Sequence, residues 1–203
     1  MSRYTGPRVK IMRKLGTELP GLTPKKTERR PYPPGQHGQA RKKLSEYAVR
    51  LMEKQKVRYN YGITERQLRL LMHEAKTTTG NTGPKLIELL ERRLDNVVFR
   101  AGFARTIPSA RQLVNHGHIL VNGKRVDIAS YRVVKGDVVT VRDRKKNLEH
   151  VESAFPVADG FQTPWLEVDR AARKATVSTL PDEGAILFPL RVQLVVEFYS
   201  QKM

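Results

Sequence analysis

The chain has 203 residues, with 38 Lys and Arg side chains against 20 Asp and Glu, so its formal net charge is +18. It contains no cysteine, which excludes disulfides, thiol nucleophiles and cysteine-ligated zinc. No apolar run reaches the length of a membrane-spanning helix, and the basic first thirty residues lack the apolar stretch of a secretory signal. The excess of positive charge favours a polyanionic partner, and nucleic acid is the usual one.

The positive charge is concentrated in two parts of the sequence. Residues 1–60 have a net charge of +12 and residues 92–145 a net charge of +8, whereas residues 61–91 are neutral and residues 146–203 carry −2. A single run of charge often marks only a solvated face. Two basic segments beside neutral ones favour a phosphate-binding surface more strongly.

Residues 1–44 are predicted to form an extended basic arm with little core of its own, because six prolines interrupt any periodic pattern. Within this arm, Gly35 and Gly38 would let the backbone approach a phosphate closely, and Tyr32 and His37 could stack on bases. The alternative is a flexible basic tail that contributes to nucleic-acid affinity only through the release of counterions.

The next sixty residues are predicted to be helical. Residues 45–61 have the pattern of a basic amphipathic helix, and Thr64 with Gln67 forms a capping box at the start of a second helix. Pro84 suits the first position of a third helix, whose apolar stripe continues to Gly102.

Residues 92–145 are predicted to form two helices packed on a small antiparallel sheet. Thr106 can cap a short helix that Gly117 ends. A strand then leads to a tight turn at Asn122-Gly123. A further pair of strands is predicted on the two sides of Gly136-Asp137.

The basic side chains of this segment are candidates for phosphate contacts, since packing its elements together would gather them on one edge. They are Arg92, Arg93, Arg105, Arg111, Lys124 and Arg125. A planar guanidinium group suits bidentate contacts with phosphate. For Arg93 the alternative is an ion pair with Asp95 or Glu91 that only makes the helix soluble.

The last 58 residues have a weaker pattern. The stretches TPWLEVD and KATVSTL are predicted to be strands. The stretch FPLRVQLVVEFYS fits either a strand, because of its β-branched residues, or a helix that begins near Pro189. Periodicity alone does not decide between these two structures.

The sequence gives little support for catalysis. His116 and His118 would face the same way on a strand, but no nearby acidic residue or cysteine completes a metal shell. The nucleotide-hydrolysis loop G-x-x-x-x-G-K-[ST] is absent. We therefore predict no enzyme activity, cofactor or metal site, and interpret the chain as a polyanion binder. RNA is favoured because a compact basic domain with a long arm suits the irregular surface of a folded RNA.

One stretch, RLDNVVFRAGFARTIPSARQLVNHGHILVNGKRVDIASYRVVKGDVVTV, closely resembles the RNA-binding module first defined in ribosomal protein S-four. Pseudouridine synthases and tyrosyl-tRNA synthetases also contain that module. The remaining segments resemble the bacterial-type S-four family itself: MSRYTGPRVKIMRKLG, PPGQHG, LSEYAVRLMEKQKVRYNYGITERQLR, GNTG and LVVEFYS. The resemblance covers essentially the whole chain and leaves no segment for a catalytic domain.

Two departures from the family pattern are visible. The cysteines that bind zinc near the amino terminus of some members are missing, so that site must be absent. Ala129 stands where the family often has proline, which loosens one loop. Several local sequences, including MSRYTGP and ARTIPSARQLVNHGHILVNG, resemble the cyanobacterial or plastid versions. The implied location is therefore the ribosome of a bacterial cytoplasm or of a plastid stroma.

The resemblance implies a structural constituent of the small ribosomal subunit, a ribonucleoprotein component that acts in translation. It would be a primary binder of 16S ribosomal RNA that nucleates assembly of the subunit body. With proteins S-five and S-twelve it would influence translational accuracy. The implied partners are 16S RNA, S-five, S-three, S-twelve and messenger RNA where it enters the subunit, with no membrane contact and no homo-oligomer.

The resemblance also implies an α+β fold in four parts. These are the extended arm at 1–44, a helical domain at 45–91 completed by about 186–203, the S-four module at 92–145, and an irregular strand extension at 146–185. The residues expected to face RNA are Arg3, Arg8, Arg13, His37, Arg41, Lys54, Arg58, Arg92, Arg105, Arg111, His116, Lys124 and Arg125. Among them we expect Arg111→Ala to weaken RNA binding more than Arg13→Ala.

Two rival functions remain at this point. An RNA-modifying enzyme could use the same module for delivery, but it would need an acidic catalytic cleft, for which residues 146–203 are too short. A basic protein that compacts DNA would share the steep salt dependence of an RNA binder. Competition between a 16S fragment and duplex DNA of equal length separates these two binders.

Overall fold

The computed structural model describes residues 4–40, 43–143, 151–155 and 163–200. It has an α+β fold, as the sequence predicts, with several helices and one five-stranded antiparallel sheet. The chain forms two compact units. The helical unit comprises residues 1–86 and 186–203, and the sheet unit comprises residues 87–185.

The helical unit contains helices α1 (Arg8–Leu15), α2 (Glu46–Asn60), α3 (Glu65–Thr77) and α7 (Val192–Ser200), together with the start of α4 (Thr82–Glu91). The Ser45 side chain accepts a hydrogen bond from the Ala48 N–H and caps α2. The predicted capping box is present at α3, where Thr64 and Gln67 satisfy each other's backbone N–H groups. The sequence therefore places the starts of α2 and α3 correctly.

The prediction that residues 1–44 have little core of their own is wrong for residues 8–22. Ile11, Met12 and Leu15 of α1 are buried, and so is Leu19 beyond it. The Asn60 side-chain oxygen accepts a hydrogen bond of 3.0 Å from the Gly21 N–H, which ties this segment to the end of α2. The prolines were misleading because they flank α1 rather than interrupt it. Pro7 directly precedes the first turn, where a missing N–H costs little.

The ambiguous stretch near the end of the chain is a helix. Helix α7 packs against α2 and α3, and its Val195 and Phe198 side chains are buried. The buried Glu53 carboxylate of α2 accepts hydrogen bonds from the Arg191 N–H, at 3.1 Å, and from the Lys56 ammonium group, at 2.7 Å. Glu53 therefore holds the first turn of α7 against α2.

The sheet unit contains the end of α4, helices α5 (Leu94–Arg100) and α6 (Ile107–Asn115), and a five-stranded sheet. The strands are β1 (Ile119–Val121), β2 (Lys124–Arg125), β3 (Val138–Val141), β4 (Leu166–Asp169) and β5 (Lys174–Val177). Their order is β2-β1-β3-β5-β4, and every pairing is antiparallel. The strands predicted in TPWLEVD and KATVSTL are present as β4 and β5.

One face of this sheet forms part of the core. Its buried side chains alternate along the strands, as the two-residue period of a strand requires: Ile119, Val121, Val139, Val141, Ala175 and Val177. Helices α5 and α6 pack against each other and bury Phe99, Ile107 and Val114. The sheet order leaves β2, with its two basic residues, at one edge.

The helix predicted from Pro84 to Gly102 is broken into α4 and α5. Arg93 has an extended backbone between them and forms an isolated β-bridge with Arg132. The Leu94 N–H then donates a hydrogen bond of 2.8 Å to the Tyr131 carbonyl. Apolar residues continue at helical spacing across this break, so the sequence pattern does not reveal where α4 ends and α5 begins.

The strand pair predicted around Gly136-Asp137 is also wrong in its first half. Residues 138–141 form β3, but residues 133–134 lie outside the strands. The two edges of β3 are occupied by β1 and β5, so no edge is left for the preceding residues. The Asp137 carboxylate instead accepts a hydrogen bond of 2.8 Å from the Val134 N–H and turns the chain.

No helix in the described ranges combines the length and the apolar character that crossing a membrane requires.

Candidate nucleic-acid interface

The sheet unit contains a buried network centred on Asp95, in the first turn of α5. Asp95 is 0% exposed, and its carboxylate accepts hydrogen bonds from Arg93 Nε, at 3.1 Å, and from Arg111 Nε of α6, at 3.0 Å. The pairing of Arg93 with Asp95, one of the sequence alternatives, is therefore present. The pair is buried, however, so it joins α5 to α6 rather than making a helix soluble.

A second buried pair lies where α4 meets α5. The Glu91 carboxylate accepts hydrogen bonds from Arg100 Nε, at 2.9 Å, and from the Asn96 side-chain amide, at 2.8 Å. The neighbouring Arg92 donates to Glu88, at 2.8 Å, and to the Val133 carbonyl, at 2.9 Å. The side chains of Arg92, Arg93 and Arg111 are thus largely engaged inside the sheet unit.

Exposed basic residues lie at the edge of the sheet unit formed by the end of α6 and strand β2. His116 follows the last residue of α6, and Lys124 and Arg125 form β2; all three are exposed. Arg125 is opposite Leu120 of β1, and the turn at Asn122-Gly123 joins the two strands. We call His116, Gly117, Lys124 and Arg125 the α6–β2 edge.

The opposite edge of the sheet has side chains of both charges, since the exposed Arg170 directly follows the acidic residues of β4. Strand β4 exposes Glu167 and Asp169, and Asp169 is directly opposite Lys174 of β5. The basic residues of β2 and the acidic residues of β4 are therefore separated by the three inner strands.

Arg105 is the remaining predicted residue of the sheet unit. It is exposed, and its Nε donates a hydrogen bond of 2.8 Å to the Ser153 carbonyl. This bond uses one of five guanidinium N–H groups, so Arg105 keeps donors for a phosphate.

Lys54, one of the predicted RNA contacts, is buried in the helical unit. Its side chain is 6% exposed, with the ammonium nitrogen 2.8 Å from Glu65 and 4.9 Å from the centre of the Phe198 ring. Glu65 also accepts a hydrogen bond of 2.8 Å from the Tyr199 hydroxyl. Lys54 lies on the inner face of α2, where its ammonium group is paired with Glu65 of α3.

These contacts shift two pKa values in the helical unit. Burial acts to raise the pKa of Glu65, but the hydrogen bonds from Lys54 and Tyr199 outweigh it and hold that pKa below its ordinary value of 4.5. Burial and the hydrogen bond to Glu65 raise the pKa of Tyr199 well above its ordinary value. The same contacts therefore favour an ionised Glu65 beside a neutral Tyr199.

Three other predicted residues of the helical unit are partly exposed and also contact the protein. Arg8 donates a hydrogen bond of 3.2 Å to the Leu22 carbonyl. Arg13 donates one of 2.9 Å to the Tyr32 carbonyl and lies over the Tyr32 ring. Arg58 lies over the Tyr59 ring. His37 is exposed, whereas the predicted contacts Arg3 and Arg41 lie outside the described residues.

Within the described part of the chain, no group of three or more His, Cys, Asp or Glu residues is arranged to hold a metal ion. An open groove of about 510 Å³ in the helical unit is lined mainly by apolar side chains. Its charged residues are Glu53, Lys56 and Arg191, and the Glu53 carboxylate accepts hydrogen bonds from the Lys56 ammonium group and the Arg191 N–H. This groove therefore brings together no acid, base and nucleophile of the kind that a catalytic centre needs.

Sequence reasoning missed two contributors to this region. Asp95 binds Arg111 across 16 positions of sequence, a separation that no local pattern reveals. Gly117 was identified only as the residue that ends α6, yet it also contacts Arg125. The exposed pair Lys124-Arg125 after a tight turn was found from the sequence because turn residues and charge are both local signals.

Comparison with known proteins gives two matches to family models. Residues 3–91 match the ribosomal protein S4/S9 N-terminal domain, and residues 92–139 match the S4 domain. The chain is 54% identical over 203 residues to the small ribosomal subunit protein uS4 of Rippkaea orientalis and to that of Synechocystis sp.. It is 52% identical over 205 residues to that of Prochlorococcus marinus. In each comparison the match covers 100% of both chains.

Proposed function

The chain belongs to the ribosomal protein S4 family, and from this membership we propose that it is a structural constituent of the small ribosomal subunit. It acts by binding ribosomal RNA and has no enzymatic role. Its place in the cell is the ribosome. The observation that carries this proposal is identity above 50% along the whole length of relatives named small ribosomal subunit protein uS4.

The charge of the sheet unit supports a role in RNA binding. Lys124 and Arg125 at the α6–β2 edge are exposed, whereas the arginines around Asp95 are engaged inside the unit. Exposed cations release counterions when they meet phosphates, which is the main source of affinity for a nucleic acid. In the sheet unit we therefore assign the main RNA contacts to His116, Lys124 and Arg125, with Arg105 as a further contact. The predicted contacts Arg92 and Arg111 are hydrogen-bonded within the unit, and we assign them a secondary role.

The finer assignments rest on the family resemblance. The RNA is 16S ribosomal RNA, and binding nucleates assembly of the subunit body. The protein partners are S-five, S-three and S-twelve, and the influence on translational accuracy is exerted with S-five and S-twelve. Messenger RNA passes close to the bound protein. In the helical unit, His37, Arg8, Arg13 and Arg58, with Arg3 and Arg41, supply the remaining RNA contacts.

We also propose a role for each segment of the chain. Residues 92–145 form the RNA-binding module and residues 146–185 extend its sheet. Residues 45–91 and 186–203 form the helical domain. Residues 1–44 bring additional basic side chains to the RNA, and their amino-terminal part is anchored by α1.

Filter binding with the full-length protein tests this function. The labelled RNA is the 5′ domain of 16S RNA, and the competitors are the unlabelled fragment and duplex DNA of equal length at one fixed salt concentration. We expect the RNA fragment to compete much more strongly than the DNA. Equal competition would indicate a general polyanion binder, and absence of binding at moderate ionic strength would refute the proposal.

Chemical footprinting of 16S RNA with and without the protein then tests the finer assignment. A structural binder protects a defined set of nucleotides and leaves every base chemically unchanged. Modified bases in the RNA after incubation would instead indicate an RNA-modifying enzyme.

A further inference from the structure

Arg125 stands at the α6–β2 edge with only a weak acidic partner. The nearest carboxylate is that of Asp127, 3.8 Å away, and both side chains are more than half exposed. An exposed ion pair of this length contributes little and does not fix the position of a long side chain. A second contact of the guanidinium group lies at the turn that ends α6.

That contact is the backbone of Gly117. The Arg125 guanidinium group fills the space that a Cβ atom would need at position 117, and its Cζ and Nη2 atoms would be 2.5 and 2.7 Å from such a Cβ. The absence of a side chain on Gly117 thus creates a notch in which the planar group lies.

The backbone around the notch is well fixed. Gly117 has a φ of +69°, and its N–H donates a hydrogen bond of 2.8 Å to the Val114 carbonyl. The next N–H, of His118, donates one of 3.0 Å to the Leu113 carbonyl, so the turn ends α6 firmly. A guanidinium group at this end of the helix also meets the negative end of the helix dipole.

We propose that Gly117 is a positioning residue for RNA binding, which acts by seating the Arg125 guanidinium group for a phosphate contact between His116 and Lys124. This inference rests on the proposed function. An arginine held in place before binding loses less conformational entropy when the phosphate arrives. Gly117 itself makes no contact with RNA in this scheme, so its effect requires Arg125.

A double-mutant cycle in the full-length protein tests this dependence. The variants are Gly117→Asn, Arg125→Ala and the double variant, and the probe is the 5′ domain of 16S RNA in filter binding. Asparagine is chosen because it tolerates the left-handed backbone but still carries a Cβ. We expect each single variant to weaken binding about tenfold, the size of one lost charge-assisted hydrogen bond, and the double variant to be no weaker than Arg125→Ala.

Gly136→Ala is the matched control for backbone strain. Gly136 lies in the same unit with a φ of +90°, and a Cβ there would meet no atom within 4 Å. We expect this variant to lower the melting temperature as the Gly117 variants do, while its RNA affinity stays within about twofold of the wild type.

The salt dependence provides a second readout that a purely structural role would not change. Loss of one phosphate contact lowers the slope of log K against log salt by about 0.7 to 0.9. We expect Gly117→Asn, although it changes no charge, to lower the slope by about this amount.

An equal loss of affinity from Gly117→Asn in the presence and absence of Arg125 would overturn the inference, and so would an unchanged salt slope. Both results would leave the proposed function intact, provided that the wild-type protein still binds 16S RNA. Absence of wild-type binding would refute the proposed function itself.

Discussion

Asp95 connects three parts of the sheet unit through one carboxylate. It begins α5, binds Arg93 at the break before that helix, and binds Arg111 of α6. Its own N–H donates to the Ala129 carbonyl of the segment before β3. Removing the charge of Asp95 takes away the carboxylate that pairs with the buried Arg93 and that also binds Arg111.

We expect Asp95→Asn to destabilise the protein by about 3–5 kcal/mol, because the buried Arg93 would lose the carboxylate that pairs with it and the link between α5 and α6 would be weakened. Urea unfolding followed by circular dichroism measures this loss. Asp127→Asn, which removes an exposed partner of Arg125 at 3.8 Å, is the control and should cost less than about 0.5 kcal/mol. Similar losses for the two variants would show that burial of Asp95 contributes little.

Glu65 makes the stability of the helical unit dependent on pH. Its pKa in the folded protein is below the ordinary value of 4.5, so the ionised carboxylate stabilises the fold at neutral pH. This contribution is lost as the pH falls below 4.5 and through the folded-state pKa. We expect Glu65→Gln to be less stable than the wild type at neutral pH, and the difference to shrink in acid.

Urea midpoints of the two proteins measured from neutral pH to about pH 3 test this expectation. A difference that stays constant over that range would exclude titration of Glu65 as its source.

Helix α7 acts as the closing element of the helical unit. It packs on α2 and α3, its first turn is bound by Glu53, and Tyr199 near its end donates to Glu65. Phe198 is buried and its ring lies 5.8 Å from that of Tyr47. A helix of nine residues has little stability of its own, so these tertiary contacts determine whether it forms.

We therefore expect Phe198→Ala to destabilise the helical unit by about 3–5 kcal/mol, through lost burial and the cavity it leaves. Guanidinium unfolding measures the change. Leu70→Ala is the control, since Leu70 is 61% exposed on α3 and should cost less than about 0.5 kcal/mol. A small effect of Phe198→Ala would mean that α7 is held by its polar contacts.

At the scale of elements, the sequence predicted what local patterns encode. The capping box at Thr64, the turn at Asn122-Gly123 and the cap at Thr106 are each made by residues within three positions of one another. The break at Arg93 was missed because it depends on a β-bridge to Arg132, 39 positions away. The helix at Arg8–Leu15 was missed because proline was read as a breaker, although Pro7 only precedes it.

Across the whole molecule, the placement of charge is more informative than its total. The net charge of +18 indicates a polyanion partner, but several predicted contacts are engaged inside the protein, Lys54 above all. Sequence alone does not separate an exposed lysine from one that an acidic residue of another helix neutralises. Lys124 and Arg125, also predicted to face RNA, are exposed because they form a two-residue strand at the edge of the sheet, directly after a tight turn.

Two substitutions that change the net charge equally test whether the position of a basic residue determines its contribution to RNA binding. Lys124→Glu and Lys174→Glu each change the net charge by the same amount, but Lys124 lies on β2 and Lys174 lies beside Asp169 on the far side of the sheet. We expect the first to weaken binding to the 16S 5′ domain about tenfold or more and the second less than about twofold. Filter binding at one fixed salt concentration measures both.

Equal losses from these two variants would mean that the protein binds RNA through its overall charge and not through the α6–β2 edge.

The position of α7 in the chain has a consequence for biosynthesis. A nascent polypeptide emerges in order, so residues 87–185 are complete before the segment that closes the helical unit has been made. Until then the surface of α2 that Val195 and Phe198 later cover remains open to solvent. A product that terminates before residue 192 would carry this apolar surface permanently, which makes it a substrate for chaperones and proteases rather than for assembly.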